Sequence, residues 1–500
     1  MSAPGYHRNG GSGREGGRAD GRAGDGTPLR VLVAGGGIGG LAAALALTRA
    51  GHEVTVAERA PRYEPAGAGI VLAANALHVL SALGVDLGPH SLALPSLDVV
   101  AADGTLLRRV EPQRAGRGYG PTRALTRTAL HTALLDALPP AARPVTGRAV
   151  SALHDTGASV TVRFERTAPT PGAPAPRPGE RHGPEGPGSE RRPPAGPHAP
   201  ELYAPDPSGR DTSDTQGSDT QGSDTRGSDT RGSDTRGSDT RGSDTQGSDT
   251  KRSGTKRPES SDEETYDLVV GADGIRSTAR AHVAARPPAL RHSGVTCWRG
   301  LTGNPGVTSA VESWGPGTKT GLVPLPDGRL YYFLVRPAPR RAPAPAWPDA
   351  FRRAFAHHRG VPARLLDALD APPPLHHDLE ELDAPVWGRG RVLLLGDAAH
   401  AMTPNLGQGA AMAVEDAYAL ALALRAGADG AADRYRALRH RRVRAVQLAS
   451  RHAGYVTRWR NPLAGAVREA AVRYMPTALQ DRQYRGLVEP ALALVREPLT

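Results

Sequence analysis

Residues 29–58 read LRVLVAGGGIGGLAAALALTRAGHEVTVAE, and this succession of apolar run, glycine cluster, alanine-rich stretch and second apolar run decides the fold. Leu29 to Ala34 is apolar except for Arg30, the pattern of a strand buried on both faces. Gly35, Gly37 and Gly40 fill the three glycine positions of GxGxxG, and Ile38 leads into a helix through Leu41 to Leu47. The first glycine permits a tight turn, the second lets backbone approach a pyrophosphate, and the third lets the helix close on the strand. The helix N-terminus then offers free N–H groups and a positive dipole end to phosphate. Gly51-His52-Glu53 ends the helix, and Val54 to Ala57 makes a second strand finishing at Glu58, twenty-three positions after Gly35. A carboxylate there takes both hydroxyls of an adenosine ribose and repels a 2′-phosphate, so the tightly held nucleotide is expected to be FAD or NAD rather than NADP.

Two later stretches extend this unit. Asp267 to Arg280, DLVVGADGIRSTAR, is an apolar strand ending in the Asp273-Gly274 turn, with Ser277 placed to cap a helix. Residues 395–416, LGDAAHAMTPNLGQGAAMAVED, set Asp397 at the tip of a buried strand, then a helix-incompatible Pro404, then Gly407-Gln408-Gly409 opening a helix that runs to about Leu424. Backbone N–H groups from Gly407 to Ala411, with Ala410 between, would face negative charge developing on a flavin ring, an effect of about 1–2 kcal/mol. His400 suits packing or a structural hydrogen bond better than catalysis.

GxGxxG with Glu58, the Asp273-Gly274 turn with Ser277 and Arg280, and Gly396-Asp397 with Pro404 and Gly407-Gln408-Gly409 resemble, in order and content, the single-component FAD-dependent aromatic hydroxylases, in the subgroup of salicylate hydroxylase, urate hydroxylase, 6-hydroxynicotinate 3-monooxygenase and zeaxanthin epoxidase. The likeness spans roughly residues 29–165 and 265–450. It implies an α/β fold: a Rossmann-like FAD-binding domain (29–90, 120–165, 265–290 and 381–430), a mainly antiparallel β-sheet substrate domain (91–119 and 291–380), and C-terminal helices (431–500). It further implies that Glu58 and Arg59 hold the AMP end of FAD. Gly67 to Ile70, with Gly69, would pass beside the flavin, and Arg127 would reach FAD from its helix. Asp273 would lie near the pyrophosphate and Asp397 on the flavin-side ribitol or ribose. NAD(P)H would be a transient co-substrate reducing FAD, oxygen would add at the flavin C4a carbon, and a small aromatic or unsaturated substrate would receive one oxygen atom. No side chain is assigned a catalytic role, and NADH versus NADPH stays open.

Composition bounds the alternatives. Residues 1–28 lack an apolar run and read as a disordered leader without a signal-peptide core. Residues 166–264 pass from a Pro/Gly/Arg-rich tract into Gly-Ser-Asp-Thr repeats with no apolar residue to bury, and read as a disordered insert in a surface hairpin between a strand Val160 to Phe164 and a strand Tyr266 to Val270. The net charge of +11 does not mark a nucleic-acid binder: the insert holds 14 Lys/Arg against 18 Asp/Glu and the leader 4 against 3, leaving about +14 of dispersed arginine, with aromatics only 4% of the chain. The run Arg436 to Arg444 reads as the solvated face of a helix. One cysteine, Cys297, rules out an internal disulfide and a cysteine metal cluster and fits a cytoplasmic location; no metal site is expected. No apolar stretch is long enough to span a bilayer, and the segment Asn461 to Leu499 is expected to pack on the core. A monomer or homodimer is expected.

Residues 291–336 read as strands, Ser293 to Leu301, Gly321 to Pro326 and Arg329 to Val335, with a hairpin turn at Asp327-Gly328. Alternation puts Leu330, Tyr332 and Leu334 on one face and Tyr331, Phe333 and Val335 on the other, without saying which faces inward. Arg299 and Tyr332 are the candidate substrate residues. The surroundings of Trp298 favour an apolar or phenolic substrate over a purine. Two other readings stand beside the monooxygenase: a flavin reductase or dehydrogenase of the same fold that inserts no oxygen, and a flavin-binding scaffold whose insert recruits partners.

Overall fold

The strand Arg30–Ala34 lies at the centre of a six-stranded sheet ordered Gly388–Arg389, Val392–Leu394, Leu268–Gly271, Arg30–Ala34, Glu53–Glu58, Ala142–Thr146. All neighbours are parallel except the first pair. Val31 and Val33 face a core shared with the helices Ile38–Arg49 and Gly409–Leu424, while Leu32 faces an opposite core with Val162, Phe164 and Ala279. Burial on both faces accounts for the unbroken apolar run. The structure, a computed structural model, describes residues 27–63, 68–112, 118–167, 262–286, 288–369 and 372–499.

The helices Ile38–Arg49 and Gly409–Leu424 pack directly on each other through alanines, and a Cβ added at Gly39 would sit 3.1 Å from the Cβ of Ala413. Small side chains thus join the opening motif to the closing one. The second motif is attached as tightly, because a Cβ at Gly271 would lie 2.4 Å from the Cβ of Ala279 and 2.7 Å from Leu394.

A seven-stranded sheet, Leu375–Leu382, Leu290–Gly303, Arg329–Pro337, Lys319–Pro324, Ala310–Trp314, Leu97–Ala101, Leu106–Val110, matches the antiparallel reading of residues 291–336, with one parallel pair at Ala310–Trp314 and Leu97–Ala101. The small sheet Gly69–Leu72, Arg123–Thr126, Leu92–Ala93 meets its inner face through Ala68, Ala124 and Tyr331.

Val160–Arg166 pairs antiparallel with Asp262–Tyr266, from Val160 opposite Tyr266 to Phe164 opposite Asp262, so the hairpin reading holds. Two boundaries change. The returning strand begins at Asp262, inside the range assigned to the insert, and Leu268–Gly271 is a separate strand that has crossed into the parallel sheet. The insert's residues 168–261 and the leader's residues 1–26 lie outside the described residues. Among described residues no helix is long and apolar enough to cross a membrane.

Candidate active site

The glycine turn assigns each of its residues a different physical task. Gly35 has φ +111°, and a Cβ there would lie 2.5 Å from the Ala272 carbonyl oxygen; at Gly40 it would lie 1.9 Å from the Gly35 carbonyl oxygen. Gly37 has an ordinary φ of −74° and no atom within 4 Å of its Cβ position, so its side of the turn is open beside the N-terminus of Ile38–Arg49. Glu58 is fixed at the next strand tip, its Oε2 accepting from the Gly36 N–H and its Oε1 from the Ala60 N–H, both at 2.8 Å. Each oxygen keeps acceptor capacity for a ribose hydroxyl. Arg59 is exposed just beyond. His131 Nε2 stands 2.7 Å from the Gly36 carbonyl oxygen and braces the turn from behind.

Asp273 follows the strand Leu268–Gly271. Its Oδ2 accepts from the N–H groups of Thr278 at 2.7 Å and Ala279 at 3.2 Å, while its Oδ1 is buried without a partner. Ser277 caps the helix Thr278–Val283, as its position predicts, accepting from Arg280 N–H at 2.8 Å. Buried Arg280 donates to the Ala398 carbonyl at 2.9 Å, fastening this motif to the third. Arg127 begins the helix Arg127–Asp136, and its Nε is also buried without a partner. Burial, followed by the charge of Arg299, holds its pKa below the ordinary arginine value.

In the closing motif Gly396 takes φ +58°, Asp397 stands exposed at the strand tip, and Pro404–Leu406 is a short 3-10 turn. Gly407, at φ +64°, donates its N–H to the Pro404 carbonyl at 2.9 Å, which removes it from the anion-facing set expected from sequence. Gly409, Ala410 and Ala411 open the helix, where first-turn N–H groups have no intrahelical acceptor. The Cβ positions of Gly407 and Gly409 meet no atom within 4 Å.

This helix is held by a buried charge network that sequence reasoning missed. Arg439 Nε reaches Asp416 Oδ1 and its Nη1 reaches Glu415 Oε2, each at 2.7 Å, and Arg442 Nε reaches Glu415 Oε2 at 2.6 Å. The run Arg436 to Arg444 is therefore not simply a solvated face, since Arg439 and Arg442 turn inward. Asn75 donates to Glu415 at 2.8 Å and to Gln408 at 3.0 Å. Burial alone would raise the Glu415 carboxyl; Arg439, Arg442 and Asn75 more than reverse this and hold it below the usual range. Asp416 is lowered likewise, against burial, by His400 and Arg439. His400 Nε2 lies 2.5 Å from Asp416 Oδ2, the structural hydrogen bond expected of it.

Cross-strand register settles the face left open by alternation. Arg299 pairs with Phe333, Leu301 with Tyr331, and Lys319 with Val335. This side faces the cofactor motifs, because a Cβ at Gly69 would lie 2.4 Å from the Tyr331 ring. Tyr332 faces the other way, in a core with Trp298, Leu330, Leu334, Phe351 and Phe355. Tyr332 therefore does not face the cofactor motifs, whereas Tyr331 and Phe333 lie on the sheet face that does. Burial pushes the Tyr331 phenol up to about 12, so it remains a donor at neutral pH. Cys297 is the small buried side chain expected. Lys319, also missed, is buried, reaching Asn405 of the closing motif at 3.1 Å and Glu312 at 3.2 Å. A sequence signal existed: it is the single lysine outside the insert in a chain of 62 Lys and Arg. Among described residues no cluster of His, Cys, Asp or Glu is set to hold a metal.

A carboxylate fixed at the second strand tip, an open glycine at a helix N-terminus, unpartnered buried atoms of Arg127 and Asp273, and a second open helix N-terminus fit a dinucleotide bearing a ring with developing negative charge. These features define a flavin-dependent oxidoreductase. Comparison makes this particular: residues 28–168 and 234–450 match the FAD binding domain family model, and the chain belongs to that family. It is 30% identical to 2-heptyl-3-hydroxy-4(1H)-quinolone synthase of Pseudomonas aeruginosa, over 92% of this chain and 97% of that one. It is 35% identical to salicylate hydroxylase of Pseudomonas putida, over 40% and 54%. The structure of Klebsiella pneumoniae HpxO with FAD and uric acid shares the fold, with TM-score 0.65 and 21% identity over 93% and 97% of the chains. The protein is an FAD-dependent monooxygenase.

Proposed function

We propose that this monooxygenase hydroxylates a small planar aromatic bearing an ionisable oxygen, bound between the closing loop and the inner face of the seven-stranded sheet. The observation that carries this reading is Arg299, a cation on the sheet face beside Phe333 and Tyr331 with no carboxylate within ion-pair distance among the described residues. Tyr331 supplies a neutral donor, and the aromatic rings exclude water from the bound substrate. A relative named for making a 3-hydroxy-4-quinolone supports an aromatic of this kind.

Gly35, Gly37, Ile38 and Gly40 would hold the pyrophosphate, with Arg127 and Asp273 beside it. Glu58 and Arg59 would hold the AMP end, Asp397 the ribitol side, and Gly69, Pro404 and the helix start from Gln408 to Ala411 the ring. When bound, FAD supplies the redox chemistry, drawing electrons from NAD(P)H and activating oxygen. The chain's own part is to orient the two reactants, exclude water and stabilise negative charge at the N–H groups of Gly409 to Ala411. The lone buried Cys297 supports a cytoplasmic location, checked by cell fractionation; light scattering distinguishes the two expected states, monomer and homodimer.

The test is a screen of phenolic acids and hydroxyquinolones for stimulated NAD(P)H oxidation under isotopically labelled oxygen. Product carrying one labelled atom, with KM raised about tenfold or more by Arg299→Ala, is the expected result. Substrate oxidation without label would replace this reading with that of a dehydrogenase.

A further inference from the structure

We propose that the helix Pro462–Arg473, with the turn before it, is a docking surface for an anionic lipid bilayer. Of this helix only Arg468 is buried. The opposite side carries Leu463 and Val467, 79% and 66% exposed, and Tyr474 just past the helix end is 76% exposed. Their spacing of four and seven residues aligns them on one stripe, extended by the small side chains of Ala466, Ala470 and Ala471. Trp459 and Tyr455, each about 40% exposed, lie just before the helix. Aromatic side chains with one apolar and one polar end suit the headgroup boundary.

Charge selects the occupant. From Tyr455 to Pro476 the chain has four arginines and one glutamate, and Arg460 and Arg473 are exposed beside the stripe. A second copy placed across a two-fold axis would set these arginines against themselves, a like-charge juxtaposition that disfavours the pair. Anionic headgroups complement them. The surface also adjoins the site. Tyr455 and Arg458 line a cleft together with Lys319 and Asn405, and the buried Arg468 guanidinium lies 5.6 Å from the Trp314 ring, whose Nε1 donates to Glu312 at 2.6 Å. Glu312 is the ion-pair partner of Lys319. This inference stands whether or not the substrate reading above holds.

The full-length, FAD-loaded protein is to be sedimented with vesicles of phosphatidylcholine alone and of phosphatidylcholine mixed with phosphatidylglycerol. The protein is expected to pellet with the mixed vesicles and to be released by salt. The double variant Leu463→Glu, Val467→Glu should lose more than about tenfold in binding while keeping its bound flavin, since both positions are exposed. Arg460→Glu with Arg473→Glu should weaken binding to mixed vesicles alone. Failure to pellet with mixed vesicles, or equal pelleting with neutral ones, overturns the proposal. So does a dimer in light scattering that the Leu463, Val467 variant splits while the parent ignores vesicles.

Discussion

At Gly37 the missing side chain leaves a space that no atom of the protein enters, and the backbone there is one any residue can adopt. Gly37→Ala should therefore fold, at a stability cost below about 1 kcal/mol from the less favourable helix cap, and yet lose FAD because the methyl group occupies the pyrophosphate path. Gly35→Ala should do the opposite first, since φ is +111° and the new atom would meet the Ala272 carbonyl at 2.5 Å. Thermal unfolding of the flavin-free proteins together with FAD titration separates the two, and equal FAD affinity for Gly37→Ala and the parent would remove Gly37 from the site. A residue on the other face of the sheet sets a second expectation. His358 is buried on the outer side of the seven-stranded sheet, 2.8 Å from Ser313 Oγ, and burial together with His357 lowers its pKa from 6.5 to about 3. Because the folded pKa is the lower one, the unfolded chain takes up a proton that the native chain refuses as pH falls from 6.5 towards 3. Stability is lost across that window, by at most about 1.4 kcal/mol per pH unit. His358→Gln should flatten that slope in urea unfolding measured at a series of pH values; an unchanged slope would mean the histidine protonates in place.

The helix Gly409–Leu424 has Glu415 and Asp416 fully buried, and its orientation towards the cofactor depends on the long helix Ala431–Thr457 that supplies Arg439 and Arg442. Removing one member of such a network strands its partners, so Arg439→Met should cost about 3–5 kcal/mol and weaken FAD binding with it. The pH sign follows from the depressed carboxyl pKa values. Their contribution is present above the ordinary carboxylate range and is lost as pH falls through the lower folded values. Without Arg439 the folded values rise, and the acid limb of the stability profile should move to higher pH. Unfolding followed by flavin release across acid pH checks both statements; a variant as stable as the parent would show that alanine packing alone holds the helix. This network was not legible because a buried arginine and a solvated one look alike within one helix, and what distinguishes them is a carboxylate some twenty residues away in another element. The face of Arg329–Pro337 was hidden for a related reason: alternation separates Tyr331 from Tyr332 but only pairing with Gly300 to Leu301 and packing against Gly69 orient them.

Over the whole molecule, what could be read from sequence was the part whose physics is local. Gly35, Gly40 and Gly396 are demanded by their own turns, Ser277 by its own helix, and the apolar run Val31 to Val33 by burial on both sides. The helix Pro462–Arg473 shows the reverse, having the periodicity of a packed helix while its stripe faces out. The insert tests locality at the largest scale. Its two flanking strands are registered from Val160 opposite Tyr266 to Phe164 opposite Asp262, so the chain leaves and re-enters at adjacent points, and Arg148 ties the returning strand through Asp262 and Glu264. Deleting residues 170–260 leaves Thr167, Ala168, Pro169 and Ser261 to close the hairpin. Loop-closure entropy falls with loop length, by about 0.6 kcal/mol for each halving, so the shortened protein should be as stable as the parent or more so by up to about 3 kcal/mol. None of the residues proposed to hold FAD lies in the deleted range, so FAD affinity and the flavin absorbance spectrum should be unchanged. A deletion that folds but binds FAD tenfold more weakly would place part of the flavin site in the insert, and one that fails to fold would show that the hairpin needs more than its two strands.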